Sequence, residues 1–270
     1  MSANHVIMTL TELRDGFAMK VDRKLAAQSF SSAFLRRAVI VGLCAVAILA
    51  PQGAVLAQSS GYLTGREVDF RTILGPPPTV GSRIDHADEE LVGAYQTADA
   101  ERFESARLDE EQLYPRFEKA FGRPIDPKTS PILVALLNRA LLDVDATAAA
   151  AKDHFHRPRP FQRMQLRRVC NRGDAPKPED HPLHGASYPS GHSVHGWTVA
   201  MILSRVDPDR AQSLIQRAEE YEESRLVCGM HFPTDIEAGQ VVAAAVVSRL
   251  DSSREFQADL AKARKEHTTP

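Results

Sequence analysis

The stretch SPILVALLNRALLDVDATAAAAKDHF, Ser130 to Phe155, constrains this chain more than any other. Ile132, Leu133, Leu136, Leu137, Ala140, Leu141 and Val144 recur at helical spacing and form one apolar stripe. The segment therefore predicts a core helix ending near Lys152. Asn138, Arg139, Asp143 and Asp145 lie within it, and polar groups there are too costly in lipid for a membrane span. Helical patterns flank it on both sides. Two or three short amphipathic helices, interrupted near Pro115, are expected between Asp85 and Gly122. Others are expected over His192–Arg205, Pro208 to about Arg225, about Pro233 to Leu250, and Arg254–Glu266. Strand patterns are weak everywhere, so the expected fold is all-α, a single-domain helical bundle.

The chain has 270 residues, 43% of them hydrophobic, enough to bury a core as one domain or at most two. A formal net charge of -2 gives no basic field for nucleic acid, so any anion site must be local. The many charges from Asp85 to Glu118 read most simply as a solvated helix face.

The N-terminal region stands apart. FLRRAVIVGLCAVAILAPQGAVLAQSS carries Arg36 and Arg37, an apolar run from Ala38 to Ala50, and Val55 and Ala57 at positions suited to a signal peptidase. It reads as an export signal over residues 1–57, with translation starting at Met1 or Met19 and a mature chain beginning at Gln58; an uncleaved anchor is the alternative. Residues 58–85, rich in Gly and Pro, read as an extended arm, and residues 86–270 as the helical domain. The expected location is the periplasm, with no membrane insertion of the mature chain and homo-oligomerisation left open. Export would leave Cys170 and Cys228, which are expected to pair; two separately buried thiols are the alternative.

Three short stretches couple charged or titratable residues to helix ends: KDHFHRPRP with Lys152 and Arg159, PSGH from Pro189 to His192, and SRLVCGMHFPTD with Arg225, His231 and Asp235. Guanidinium forks match the oxygens of a tetrahedral oxyanion, and amides around Ser190 and Gly191 at a helix start suit phosphate. Cations without an obvious acidic complement imply a bound anion. Asp235, four residues after His231, can hold one ring nitrogen and leave the other bare as nucleophile or base, while His192 supplies a second imidazole as general acid. That chemistry wants His231 neutral and His192 protonated, and hence activity in mildly acidic solution. The spacings of His181 with His184, and of His192 with His195, suggest metal ligands, but no Cys or carboxylate completes a set.

Taken in order, Lys-x6-Arg-Pro, Pro-Ser-Gly-His and Ser-Arg-x5-His-x3-Asp resemble the phosphatidic acid phosphatase type 2 and vanadium haloperoxidase superfamily. SYPSGH followed by GW, CGMH and an early PPP are similar to its bacterial class A non-specific acid phosphatases, over most of residues 66 to 265. The stretch HFPTDIEAGQ, with Gly239, looks closer to the superfamily's membrane-bound lipid phosphatases. The resemblance implies a helical core in which His231 attacks phosphorus to form a phosphohistidine. Asp235 would orient His231, and His192 would protonate the leaving alcohol. Lys152, Arg159, Ser190, Gly191 and Arg225 would hold the phosphoryl oxygens. It implies small phosphomonoester substrates and neither metal nor other cofactor. Three further readings share the pocket: a vanadate-dependent haloperoxidase, whose signature has a longer gap before Arg-Pro, a lipid phosphate phosphatase, and an oxyanion-binding protein without turnover.

Overall fold

The computed structural model describes residues 60–64, 67–171, 173–174 and 187–269. The export signal and its cleavage site, His181 and His184 lie outside them. The described residues are mostly helical, as expected: α1 Phe70–Ile73, α2 Arg83–Tyr95, α3 Ala100–Glu111, α4 Glu118–Phe121, α5 Pro131–Phe155, α6 Pro160–Arg163, α7 Gly191–Val206, α8 Ala211–Val227, α9 Pro233–Leu250 and α10 Arg254–Thr268. Two antiparallel two-residue strands, Arg168–Val169 and Gly173–Asp174, form the sole sheet among these residues.

The long helix α5 is central, as its apolar stripe requires, with Leu133, Leu136, Leu137, Ala140 and Val144 all buried. It packs against α7, α9 and α10, and α7 in turn packs against α8 and α9. Small residues set the closest approaches. A Cβ on Gly239 of α9 would meet the Ser193 Cβ at 2.6 Å and the Ser190 carbonyl at 2.8 Å, so only glycine lets α9 rest against the start of α7. Asp143, on the inner side of α5, is satisfied by the residues before α1: the amides of Tyr62 and Leu63 donate to it at 2.8 and 3.1 Å. The expected arm is thus tied to the core helix and includes the turn of α1. Among the described residues no helix is long and apolar enough to cross a membrane.

One expectation fails here. Asp85, Asp88 and Asp109 are almost completely buried, not solvated. The physical reason is a matching set of arginines. Arg163 forks onto Asp85 at 2.8 and 2.7 Å, Arg157 reaches Asp88 at 2.7 Å, and Arg116 reaches Asp109 at 2.6 Å, with Arg217 on the same oxygen. Buried carboxylates persist only where such partners compensate them.

Cys170 and Cys228 form a disulfide that ties the segment after α6 to the end of α8. At a sequence separation of 58, the chain-entropy account gives a stabilisation of about 4 kcal/mol. Replacing both cysteines by serine is expected to lower the unfolding free energy by an amount of that order and the denaturation midpoint with it. An unchanged midpoint would show that the bridge constrains nothing in the unfolded chain.

Candidate active site

Three local structures bring the singled-out residues together. The first is the end of α5, which delivers Lys152 in its last turn; four residues beyond the helix, Arg159 immediately precedes Pro160 at the start of α6. The second is the start of α7. Ser190 is its N-cap, accepting from the Ser193 amide at 3.3 Å, and Gly191 is its first residue. A helix start presents amides with no partner in the helix and a positive dipole end, the elements of an anion site. A Cβ at Gly191 would lie 3.9 Å from Lys152 Cε, which puts the lysine stem beside these amides.

The third structure is the turn between α8 and α9. Gly229 adopts a left-handed conformation, φ 63°; its amide bonds the Leu226 carbonyl at 2.9 Å and the Met230 amide bonds the Arg225 carbonyl at 3.0 Å. This closure at a helix C-terminus needs a residue at positive φ, and here a Cβ would also strike Leu166 at 2.5 Å. It fixes His231 relative to Arg225 in the preceding turn. The next helix begins at Pro233, where the Asp235 carboxylate accepts from the Phe232 amide at 2.8 Å. The Ser190 amide bonds the Asp235 carbonyl at 2.9 Å, which joins the second and third structures.

The geometry sets the tautomer of His231. Arg159 Nη1 lies 2.9 Å from Nε2, and a guanidinium can only donate, so Nε2 bears the lone pair. The proton is therefore on Nδ1. Asp235 does not hold it by a direct hydrogen bond, as the sequence suggested: Nδ1 is 3.7 Å from Asp235 Oδ2. Ser187 stands between them, 3.3 Å from Nδ1 and donating to Oδ2 at 2.6 Å. Behind Asp235 lies Arg157, donating to Oδ1 at 2.6 Å and held in turn by Asp88. Burial pushes the Asp235 carboxyl up while Arg157 holds it down. Its Phe232, Ser187 and Arg157 contacts are all donors, which suits the ionised form.

His192 Nε2 lies 3.2 Å from the main-chain carbonyl of Glu110 at the end of α3. A carbonyl can only accept, so Nε2 carries the proton and Nδ1 is the other working atom. Burial first, and then the charge of Arg225, hold His192 well below the usual imidazole range. This corrects the expectation of a protonated His192 in the free protein. His231 is held well below that range too, by burial and then by Arg159, Lys152 and Arg225. The same desolvation, reinforced by Arg159, lowers Lys152 to about 7. His195 Nε2 lies 2.6 Å from the Asp145 carboxylate.

Arg225 is fully buried. It has an acidic neighbour that the sequence did not disclose, Glu110, with Oε2 at 3.7 Å from Nη1. Ser187, Arg157 and Glu110 are thus the site residues that sequence reasoning missed. The arrangement has a bare imidazole nitrogen, a second imidazole, cations and helix-start amides in one place. It can bind a tetrahedral anion and attack its centre.

Comparison with known proteins agrees with this chemistry. The family model described as PAP2 superfamily matches residues 130–251. A non-specific acid phosphatase of Providencia stuartii is 31% identical over 252 residues, spanning 90% of this chain and 97% of that protein. An acid phosphatase of Zymomonas mobilis is 33% identical over 198 residues, 72% of this chain and 73% of that protein. A non-specific acid phosphatase of Salmonella typhimurium is 32% identical over 205 residues, 74% and 80% respectively. With the motifs, the helical architecture and these relatives in agreement, the chain belongs to the PAP2 superfamily.

Proposed function

We propose that this chain is an exported, periplasmic acid phosphatase that hydrolyses small phosphate monoesters through a phosphohistidine at His231. Its helical domain would comprise residues 86–270, following a cleaved leader of residues 1–57 and an arm of residues 58–85. The observation that supports the mechanism best is the bare Nε2 of His231, which faces the Arg159 guanidinium at 2.9 Å.

Lys152, Arg159, Arg225 and the amides at Ser190 and Gly191 hold the phosphoryl oxygens in this reading. A charged oxygen is a better acceptor for Arg159 than an imidazole, so substrate binding frees the Nε2 lone pair. Nε2 then attacks phosphorus as the bond to the leaving oxygen breaks. Ser187 and Asp235 stabilise the positive charge that develops on the ring. A phosphate beside His192 offsets the positive field of Arg225 and raises its affinity for a proton, which it passes to the leaving oxygen. In the second step His192 takes a proton from water, the water oxygen attacks phosphorus, and the N–P bond breaks.

Lys152 sets the alkaline limit. Burial and Arg159 lower its ammonium to about 7 in the free protein, so the pocket that receives phosphate loses one of its cations as pH rises through that value. Hydrolysis of an aryl phosphate by the purified protein, with chelator present, is expected, with kcat/KM falling above about pH 7. Lys152→Arg should move that fall to higher pH, since a guanidinium stays charged. Absence of hydrolysis would overturn the reading. A rate rising steadily into alkali would instead favour attack by hydroxide.

A further inference from the structure

Helix α3 is fastened to α8 by a buried cluster beside the candidate site. Asp109 accepts from Arg116 at 2.6 Å, from Arg217, and from the Ser224 hydroxyl at 2.7 Å. Arg102 adds a bond to the same hydroxyl at 3.0 Å. Asp109 is completely buried, so this anchor fixes the position of the next residue. That residue is Glu110.

Glu110 meets the site twice. Its carbonyl accepts from His192 at 3.2 Å, and its carboxylate lies 3.7 Å from Arg225. The latter is an ion pair too long for a hydrogen bond. Glu110 Oε2 and Arg225 Nε and Nη1 are all buried and all lack a hydrogen-bond partner. A buried guanidinium with unused donors is suited to a ligand oxygen, yet a counter-charge, the Glu110 carboxylate, already stands beside it. The Cys170–Cys228 sulfurs lie within 4.8 Å of that carboxylate, which closes it in from another side.

We propose that Glu110 is a built-in competitor for Arg225: its carboxylate neutralises the guanidinium and weakens the pocket's hold on orthophosphate and on the phosphoryl group of substrates. This rests on Arg225 being a phosphate ligand, as in the function proposed above. A phosphate oxygen on Arg225 stands close to a second negative group, whose backbone α3 holds beside the pocket. The consequence is an enzyme that releases its product readily at the cost of a higher KM. No motion of the chain is needed, only a like charge beside the anion.

The test is calorimetric binding of inorganic phosphate, together with its inhibition of aryl phosphate hydrolysis, for the parent protein and for Glu110→Gln and Glu110→Ala. Both variants keep the carbonyl on His192. Both are expected to bind phosphate at least about tenfold more tightly and to show a lower KM, because like charges in contact disfavour binding strongly. Equal or weaker phosphate binding in both variants would overturn the proposal and make Glu110 a support that positions Arg225. Failure of phosphate to bind either the parent or Arg225-intact variants would overturn the anion-pocket reading itself.

Discussion

His231→Ala is expected to remove turnover of every phosphomonoester, whatever its leaving group. His231 presents its bare nitrogen to Arg159 at 2.9 Å, so the substitution removes the proposed nucleophile itself. His192→Ala is expected to behave differently. Its loss removes only the proton for the departing oxygen, so an alkyl phosphate should slow by about 10²–10⁴-fold, the usual worth of a general acid. An aryl phosphate, whose phenolate leaves without a proton, should slow far less. Steady-state rates of both substrates on both variants check the division of roles. The same leaving-group dependence in the two variants would make His231 a base that activates water.

Arg157→Ala is expected to have the largest effect on stability. Arg157 is buried and donates to Asp235 at 2.6 Å, to Asp88 at 2.7 Å and to Thr234 at 2.7 Å, with its guanidinium over the Phe232 ring at 4.3 Å. Truncation takes the guanidinium from two buried carboxylates and leaves them the neutral donors Ser187, Phe232 and Thr234, and breaking a buried ion pair costs about 3–5 kcal/mol. Activity should fall as well, because Asp235 loses the donor that steadies it behind Ser187 and His231. Denaturant unfolding measures the first effect and kcat the second. Arg157→Lys should recover part of the stability without spanning both carboxylates, since an ammonium is a point donor and the guanidinium a fork. A variant with alanine as stable as the parent would mean that the aspartates are held by their other partners alone.

The contrast between α5 and α2 shows what the sequence discloses. The stripe on α5 could be read directly, because apolar burial repeats with the helix period and needs no knowledge of the partner. The starts of α7 and α9 were legible for a related reason: Ser190 and Pro233 act through local backbone chemistry. So too were Lys152, Arg159, Ser190, Gly191, His192, Arg225, His231 and Asp235, whose motifs carry their spacing with them. Asp85 and Asp88 were misread because a carboxylate on a helix looks the same whether water or an arginine faces it. Arg157 and Arg163 interleave with the motif residues in HRPRPFQR, and that surplus of cations was the available signal. Ser187 and Glu110 gave none, since their roles depend on contacts 44 and 82 residues away along the chain.

The proposed reaction turns on a covalent intermediate at His231. Rapid quenching of the protein during turnover of excess aryl phosphate, at a pH that preserves N–P bonds, followed by peptide mass spectrometry, tests it most directly. A phosphoryl group is expected on the imidazole of His231, and none in His231→Ala. Turnover with no phosphorylated histidine at any quench time, or with the phosphoryl group on His192 instead, would contradict it.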